Sequence, residues 1–547
     1  MEKRFFLALL LAAAVVAVTQ ILFPVTRPAL VTRGKNDSTS TSKTQNRSIG
    51  DVDRRPAVVQ PTSDSTFTVT SAATSELTTL VTPKSIYRFS DVGAAPVSVA
   101  LRSYKNLAPA GGAVELGIPG QPLLRYALVV NGDTTRFDSI PFRSRVSTNQ
   151  VTYDAIIANH DVEISYQILP DKYVVRVNGK IERADQNAYL LIQLPTGLRP
   201  AEADTISDLR NLAFSFKPER ENARIVRFGS LDPGEQRLET GPLVWAAVKN
   251  KYFVLGLLTP SGSSFNEVTL RGGPRMSKVA TTASATIVEL LKTGSFTLDL
   301  YAGPQQSTEL IAMGRDFDHV NPYGWRFLQG VVQPIAALCI RLLLWMHQVL
   351  RLSYGWVLII FGILIRVALW PLNQSAMRSS MKMQEIQPKL AEVQKKYKDK
   401  PEKQREEIMK VYRDAGASPF TALTGCLPAL IPMPVLFALF FVFQNTIEFR
   451  GVPFMWLHDI SIKDPLYILP ILMGVSMYVL SWIGLRNAPP NPQAKTMSYM
   501  FPVMMTFILA NMASGLNLYY TAQNLAAIPQ QWLLAQERAR RKPLSRQ

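Results

Sequence analysis

One arginine, Arg366, lies inside the apolar run from Ile359 to Trp370, and it is the residue of this 547-residue chain best placed to do chemistry. An ionised side chain at the middle of a lipid-crossing helix costs about 2.5–3.5 kcal/mol, so such a charge usually faces a protein interior or a wet cavity. Its chemistry would be non-covalent: a fixed cation that offers N–H donors to polar or anionic groups. Snorkelling is the alternative on pattern alone, because Pro371 lies five residues later, about 7 Å at helical rise, and the side chain could reach the headgroups. Covalent or metal chemistry is not legible. His160, His319, His347 and His458 are scattered, and the strings HExxH, GxSxG and GxxxxGK[ST] do not occur. No catalytic residue, metal ligand or cofactor is expected.

Other polar residues lie at expected membrane depth, chiefly Asn511, Gln523, Asn524, Gln530 and Gln531. Each alone could be an interhelical hydrogen-bonding group; their clustering towards the C-terminus makes them candidate neighbours of Arg366. The apolar segment Ser498 to Ala513 spans about 24 Å as a helix against a hydrocarbon core of about 30 Å, which a locally thin or wet bilayer would relieve. Beyond the arginine run, Ile386, Leu390, Val393 and Tyr397 recur at spacings of four, three and four. After a break at Lys400 and Pro401 come Ile408, Val411 and Tyr412, the pattern of a helical hairpin with one apolar seam. Met377, Met381 and Met383 at its membrane end could form an adaptable docking surface or simply pack on the hairpin.

Those side chains need elements to hold them. A formal net charge of +18 could suggest nucleic acid, but Lys and Arg cluster beside apolar segments, which fits membrane orientation better. The two cysteines, Cys339 and Cys426, both sit in hydrophobic stretches, so no disulfide framework is expected. Residues 1–24 read as a first transmembrane helix, with Lys3 and Arg4 holding its start in the cytoplasm; a cleaved signal peptide is the alternative, and either one exports the polar region beyond it. Residues 25–66 are a flexible polar linker. From 67 to 320, short alternating runs such as Tyr126 to Val130, Val162 to Ile168, Tyr173 to Val177 and Phe296 to Tyr301 predict one large β-sandwich.

Residues 321–351 carry Gln333, Pro334, Arg341, His347 and Gln348 on an otherwise apolar helix, which reads as amphipathic and interfacial. A second span over 352–372 precedes the cytoplasmic hairpin, 373–418. Spans three to six lie within 419–535, drawn as Leu427 to Ile447, Leu466 to Leu485, Ser498 to Ala513 and Leu516 to Leu534. A basic tail closes the chain at 536–547. The lysines and arginines of the hairpin and tail place both on the cytoplasmic side, and with them both termini. The expected architecture is thus an α-helical polytopic membrane protein with six transmembrane helices, five forming a core, and a large exported β-sandwich.

Several strings in this order resemble the YidC-type membrane protein insertases of Gram-negative bacteria. They are Tyr323-Gly324-Trp325; Arg366 with Trp370-Pro371-Leu372; Gln387-Pro388-Lys389; Gly425-Cys426-Leu427-Pro428 with Pro432-Met433-Pro434; Leu457-His458-Asp459-Ile460; Asp464 to Pro470; and Ser514-Gly515-Leu516 with Tyr519-Tyr520, Asn524 and Gln530-Gln531. The resemblance implies an inner-membrane insertase and chaperone with its large domain in the periplasm. A hydrophilic groove containing Arg366 would open to cytoplasm and lipid, with Asn511, Gln523, Asn524 and Gln530 as its expected substrate-binding companions. The hairpin, through Met377, Met381, Met383, Gln387, Pro388 and Lys389, would receive substrate. Implied partners are nascent membrane proteins, the Sec translocon, the ribosome and membrane lipids, with no nucleic-acid substrate; a tail this short argues against strong independent ribosome docking. Two competing functions are a transporter, for which related halves with broken helices would be expected, and an anchored carbohydrate-active module, for which no convincing carboxylate pair is present.

Overall fold

The computed structural model describes residues 76–182, 188–275, 279–324, 328–371, 374, 389–390, 392–398, 400–414, 433–486 and 492–541. The expected first span and linker lie outside these residues, as do Met377, Met381, Met383, Gln387, Pro388 and Cys426.

The β-rich part begins with β1 (Leu77–Val81), β2 (Ser85–Ser90), β3 (Ala95–Lys105) and β4 (Ala113–Glu115), an antiparallel four-stranded sheet in that order. A second sheet of fourteen strands runs from Arg125 to Pro304. Near its middle, Ser295–Pro304 pairs antiparallel with Val174–Ile181 on one side and Phe253–Leu258 on the other. The four runs read from sequence fall in strands Arg125–Val130, His160–Ile168, Val174–Ile181 and Ser295–Pro304. Alternation explains why: in His160–Ile168, Val162 and Ile164 are buried while Asp161 and Glu163 are exposed. Both sheets share one core, in which Tyr87 and Phe89 of the small sheet join Tyr166, Trp245 and Leu298 of the large one. Tyr166 crosses between them, its hydroxyl donating to the carbonyl of Ala94 at 2.6 Å.

Two short helices, α1 (Thr205–Arg210) and α2 (Ser307–Met313), and a 3-10 turn at Phe317–Val320 close the end of this domain. Phe317 packs edge-on to Trp245 at 5.2 Å and against Gly256, where a Cβ would come within 2.9 Å of its ring. Glycine is needed there to let the ring in. The Trp245 indole donates to the Arg315 carbonyl at 3.0 Å, and Arg315 donates to Asp299 at 3.0 Å. The chain is thereby fastened as it leaves the sheet.

The helical part comprises α3 (Gln329–Leu350), α4 (Tyr354–Ala368), α5 (Pro401–Asp414), α6 (Met433–Asn445), α7 (Ile468–Leu485), α8 (Pro492–Leu509) and α9 (Ser514–Arg541). Among the described helices, α3 and α7 alone are long and apolar enough to cross a membrane by length and composition, and α4 and α6 are shorter apolar helices. Three boundaries differ from the sequence expectation. Helix α4 stops at Ala368 instead of 372. Helix α8 runs from Pro492 to Leu509, about 27 Å at helical rise, so it is longer than the segment drawn and ends earlier. Helix α9 continues through the apolar segment into the expected tail as far as Arg541. The early end of α8 has a local cause. The Asn517 side chain, wholly buried, donates to the Leu509 carbonyl at 3.0 Å and satisfies a group that a continuing helix would have used.

Helix α3 packs on α4 and α6 through Val332, Ala336, Cys339, Leu343 and Met346, while Val331, Leu338, Trp345 and Val349 remain exposed among the predicted polar positions. In the hairpin region, Leu390 and Tyr412 are buried together with Ile408 and Val411 against them, which is part of the expected seam.

The loop between α6 and α7 docks onto the β-domain. Ile447 enters that domain's core. The Arg450 guanidinium donates to Glu202 at 2.7 Å, to the Ala201 carbonyl at 2.8 Å and to the Lys105 carbonyl at 2.9 Å, and lies over the Phe253 ring. Both charged side chains are almost entirely buried, 6 % and 7 % exposed. The same loop is tied to the start of α7 by Asp464, whose carboxylate accepts from Trp456 Nε1, Leu466 N and Leu469 N at 3.2, 3.0 and 2.8 Å. Ile460 and Ile462 carbonyls accept from the first residues of α9, Gly515 N and Ser514 N.

Candidate functional site

Arg366 lies in the last turn of α4, a helix whose apolar residues pack on α9 by close backbone approach. Gly362, one turn earlier, makes that approach possible: a Cβ there would meet the Tyr519 carbonyl at 3.0 Å and the Ala522 Cβ at 3.4 Å. The arginine is thereby turned towards α9 and does not run along its own helix to a headgroup. Its guanidinium donates to Gln530 Oε1 at 2.8 Å, and the Gln530 Nε2 donates in turn to the Trp370 carbonyl at 3.2 Å.

This amide has a double use. It donates to the Trp370 carbonyl just past the end of α4, and it holds the cation inside the bundle. Gln530 is buried, with 1 % of its surface exposed. Arg366 Nε is buried without a protein partner, and among the described residues the guanidinium forms no ion pair. With five N–H donors in a planar fork, most of its hydrogen-bonding capacity is unspent. A charge held by one neutral amide is oriented without being neutralised, so it keeps its attraction for an incoming carboxylate or carbonyl dipole.

The structure divides the other residues read from sequence. Gln523 is half-buried and lies seven residues before Gln530, on the same side of α9. Asn524 points elsewhere: its Nδ2 donates at 3.0 Å to Ser476 Oγ on α7, whose hydroxyl donates to the Met473 carbonyl. That pair is an interhelical hydrogen bond of the kind that binds helices in lipid. Asn511 is not in a helix. It is exposed in the turn between α8 and α9, because α8 ends at Leu509. The carboxamide of Gln531 has a buried, unpartnered oxygen, and its nitrogen lies where a Cβ on Gly484 would come within 2.5 Å. Lys389 is exposed.

Sequence reading did not single out Gly362, Ser476 or the Arg450–Glu202 pair. A glycine four residues before a buried charge is a usable signal for the first. Nothing local marks Glu202, 248 residues from Arg450. Among the described residues no group of three His, Cys, Asp or Glu side chains is arranged to hold a metal ion.

Both the β-rich and the helical part match known families. Residues 345–541 match the family model described as 60Kd inner membrane protein, and residues 78–338 the one described as YidC periplasmic domain. The membrane protein insertase YidC of Chlorobaculum tepidum is 31% identical over 424 residues, covering 73% of this chain and 69% of its own. That of Chlorobaculum parvum is 30% identical over 424 residues, covering 73% and 70%. A solved structure described as an active YidC insertase with its first transmembrane domain resolved is similar at 17% identity and a TM-score of 0.33, over 84% of this chain and 93% of that one.

Proposed function

Because this chain belongs to the YidC family of membrane protein insertases, and is an inner-membrane protein with a periplasmic domain that inserts nascent membrane proteins, we propose that Arg366 is the polar partner a client segment uses while it crosses. The family's work is insertion, not a covalent reaction, so the chemistry required is solvation. An apolar client helix partitions into lipid unaided, but its acidic and polar flanks lose water on the way and must be compensated. The observation that carries this reading is the guanidinium fixed by Gln530 with its other donors unspent. Gln523, on the same side of α9, is the second polar group a client would meet.

In this reading Arg366 and its neighbours line a hydrophilic groove that opens to the cytoplasm, and both termini are cytoplasmic. The hairpin, with Met377, Met381, Met383, Gln387, Pro388 and Lys389, receives the nascent chain there. The helix α3 lies in the outer interface, and the protein acts as a chaperone, alone or with the Sec translocon. The inward turn of Arg366 supports the groove, and the one-sided packing of α3 supports its interfacial position.

Purified protein in liposomes, given one client with an acidic translocated segment and one with a neutral segment, tests the proposal. Arg366→Ala should impair insertion of the acidic client more than the neutral one, and Arg366→Lys should retain more activity. The defect should be partial, since other groove residues share the role. Equal insertion of both clients by wild type and Arg366→Ala would remove the arginine from the mechanism.

A further inference from the structure

Where the β-domain gives way to α3, a cavity of about 390 Å³ opens to the surface, lined in part by Ile311, Asp318, His319, Gln333, Ile340 and Arg341. Its size is within the range of small-ligand sites, about 300–1,000 Å³. Its position sets the depth: a water-exposed domain joins a helix whose outer side exposes Val331, Leu338, Trp345 and Val349, and the layer where such surfaces meet is that of the lipid headgroups.

The lining is mixed in a specific way. Arg341 is exposed and, among the described residues, has no hydrogen-bond or ion-pair partner. Asp318 brings a carboxylate, half-buried, with the His319 ring nitrogen 3.7 Å away. Gln333 accepts from Gln329 at 2.8 Å, which leaves its own NH₂ to donate. Apolar surface comes from Ile311 and Ile340. Among the described residues the lining brings one guanidinium and one carboxylate, the latter beside the His319 ring. A purely anionic headgroup would be attracted by Arg341 and repelled by Asp318; a zwitterion carrying phosphate and ammonium satisfies both.

We propose that this cavity binds the headgroup of an aminophospholipid of the outer leaflet, its phosphate on Arg341 and Gln333, its primary ammonium on Asp318, and its glycerol end on Ile340. The ammonium is the distinguishing group, since a trimethylated one has no N–H to donate. The site is separate from Arg366 and does not depend on the reading of the groove.

Full-length protein in mild detergent, titrated with phosphatidylethanolamine, phosphatidylcholine and phosphatidylglycerol and followed by native mass spectrometry, tests this. Wild type should retain phosphatidylethanolamine about tenfold better than either competitor, the worth of one charge-assisted hydrogen bond. Asp318→Asn should abolish the preference over phosphatidylcholine, and Arg341→Gln should lower retention of all three lipids, because all carry phosphate. Excess phosphoethanolamine should displace the bound lipid from wild type, which decides the matter even where a variant fails to fold. Equal retention of the three lipids, preference for phosphatidylglycerol, a preference that survives Asp318→Asn, or no displacement by phosphoethanolamine would each overturn the proposal.

Discussion

Replacing Arg450 by methionine should weaken the attachment of the β-domain to the helical part by about 3–5 kcal/mol, the cost of breaking a buried ion pair by removing one partner. The size comes from the surroundings. Methionine matches the stem but loses the guanidinium over Phe253, Glu202 would lose a 2.7 Å charge-assisted bond at a place where it is 7 % exposed, and the Ala201 and Lys105 carbonyls would lose their donor. Glu202→Gln should cost less, about 1–2 kcal/mol, because a neutral amide oxygen can still accept from the guanidinium. In the double variant no charge is stranded, so its loss should fall short of the sum of the two singles by about 2 kcal/mol.

A pH dependence should accompany this. Burial pushes the Glu202 carboxyl above its ordinary range, and Arg450 pulls it back down. Without Arg450 the folded-state value rises further above the unfolded one. Protonated Glu202 then favours the fold at acid pH, and that contribution is lost as pH rises through the folded value, so the Arg450→Met defect should be larger near about pH 8 than near about pH 5. Urea unfolding of the full-length protein in micelles, followed by near-ultraviolet circular dichroism at both pH values, measures all three variants. A loss below about 0.5 kcal/mol for Arg450→Met, simple additivity in the double variant, or a defect that grows at acid pH would refute the reasoning.

Two further outcomes are expected. Burial raises the Glu289 carboxyl to about 7, and one of its oxygens is buried without a partner; its stabilising protonated form is complete below about pH 4.5 and lost as pH climbs through 7, at most about 3 kcal/mol. Glu289→Gln should flatten the urea midpoint across that window, and an unchanged slope would exclude the residue. Gly362→Val should force α4 away from α9 at a cost of about 1–3 kcal/mol and draw Arg366 off Gln530, reproducing the selective loss of acidic-client insertion in liposomes. Gly362→Ala should do so far less, and wild-type insertion by the valine variant would mean the close approach is not needed.

The sequence alone was enough to divide this protein into a β-rich domain and a helical part, to locate the main strands and helices, and to pick out Arg366. Those properties are written locally: alternation with period two in His160–Ile168, apolar runs such as Ile468–Leu485, and the cost of a lone charge in lipid. It also carried enough linked strings to indicate the family. Tertiary structure decided which polar residues meet. Gln530 and Asn524 are six residues apart on one helix and equally polar, yet one holds Arg366 and the other holds Ser476. Asn511 falls outside the helices because Asn517 caps α8 two residues before it. Helical period states which residues share a side, but not which neighbour that side faces. That choice depends on close approaches such as Gly362 on Tyr519 and on contacts as distant in sequence as Arg450 and Glu202, where the gain appears only once the chain has folded back on itself.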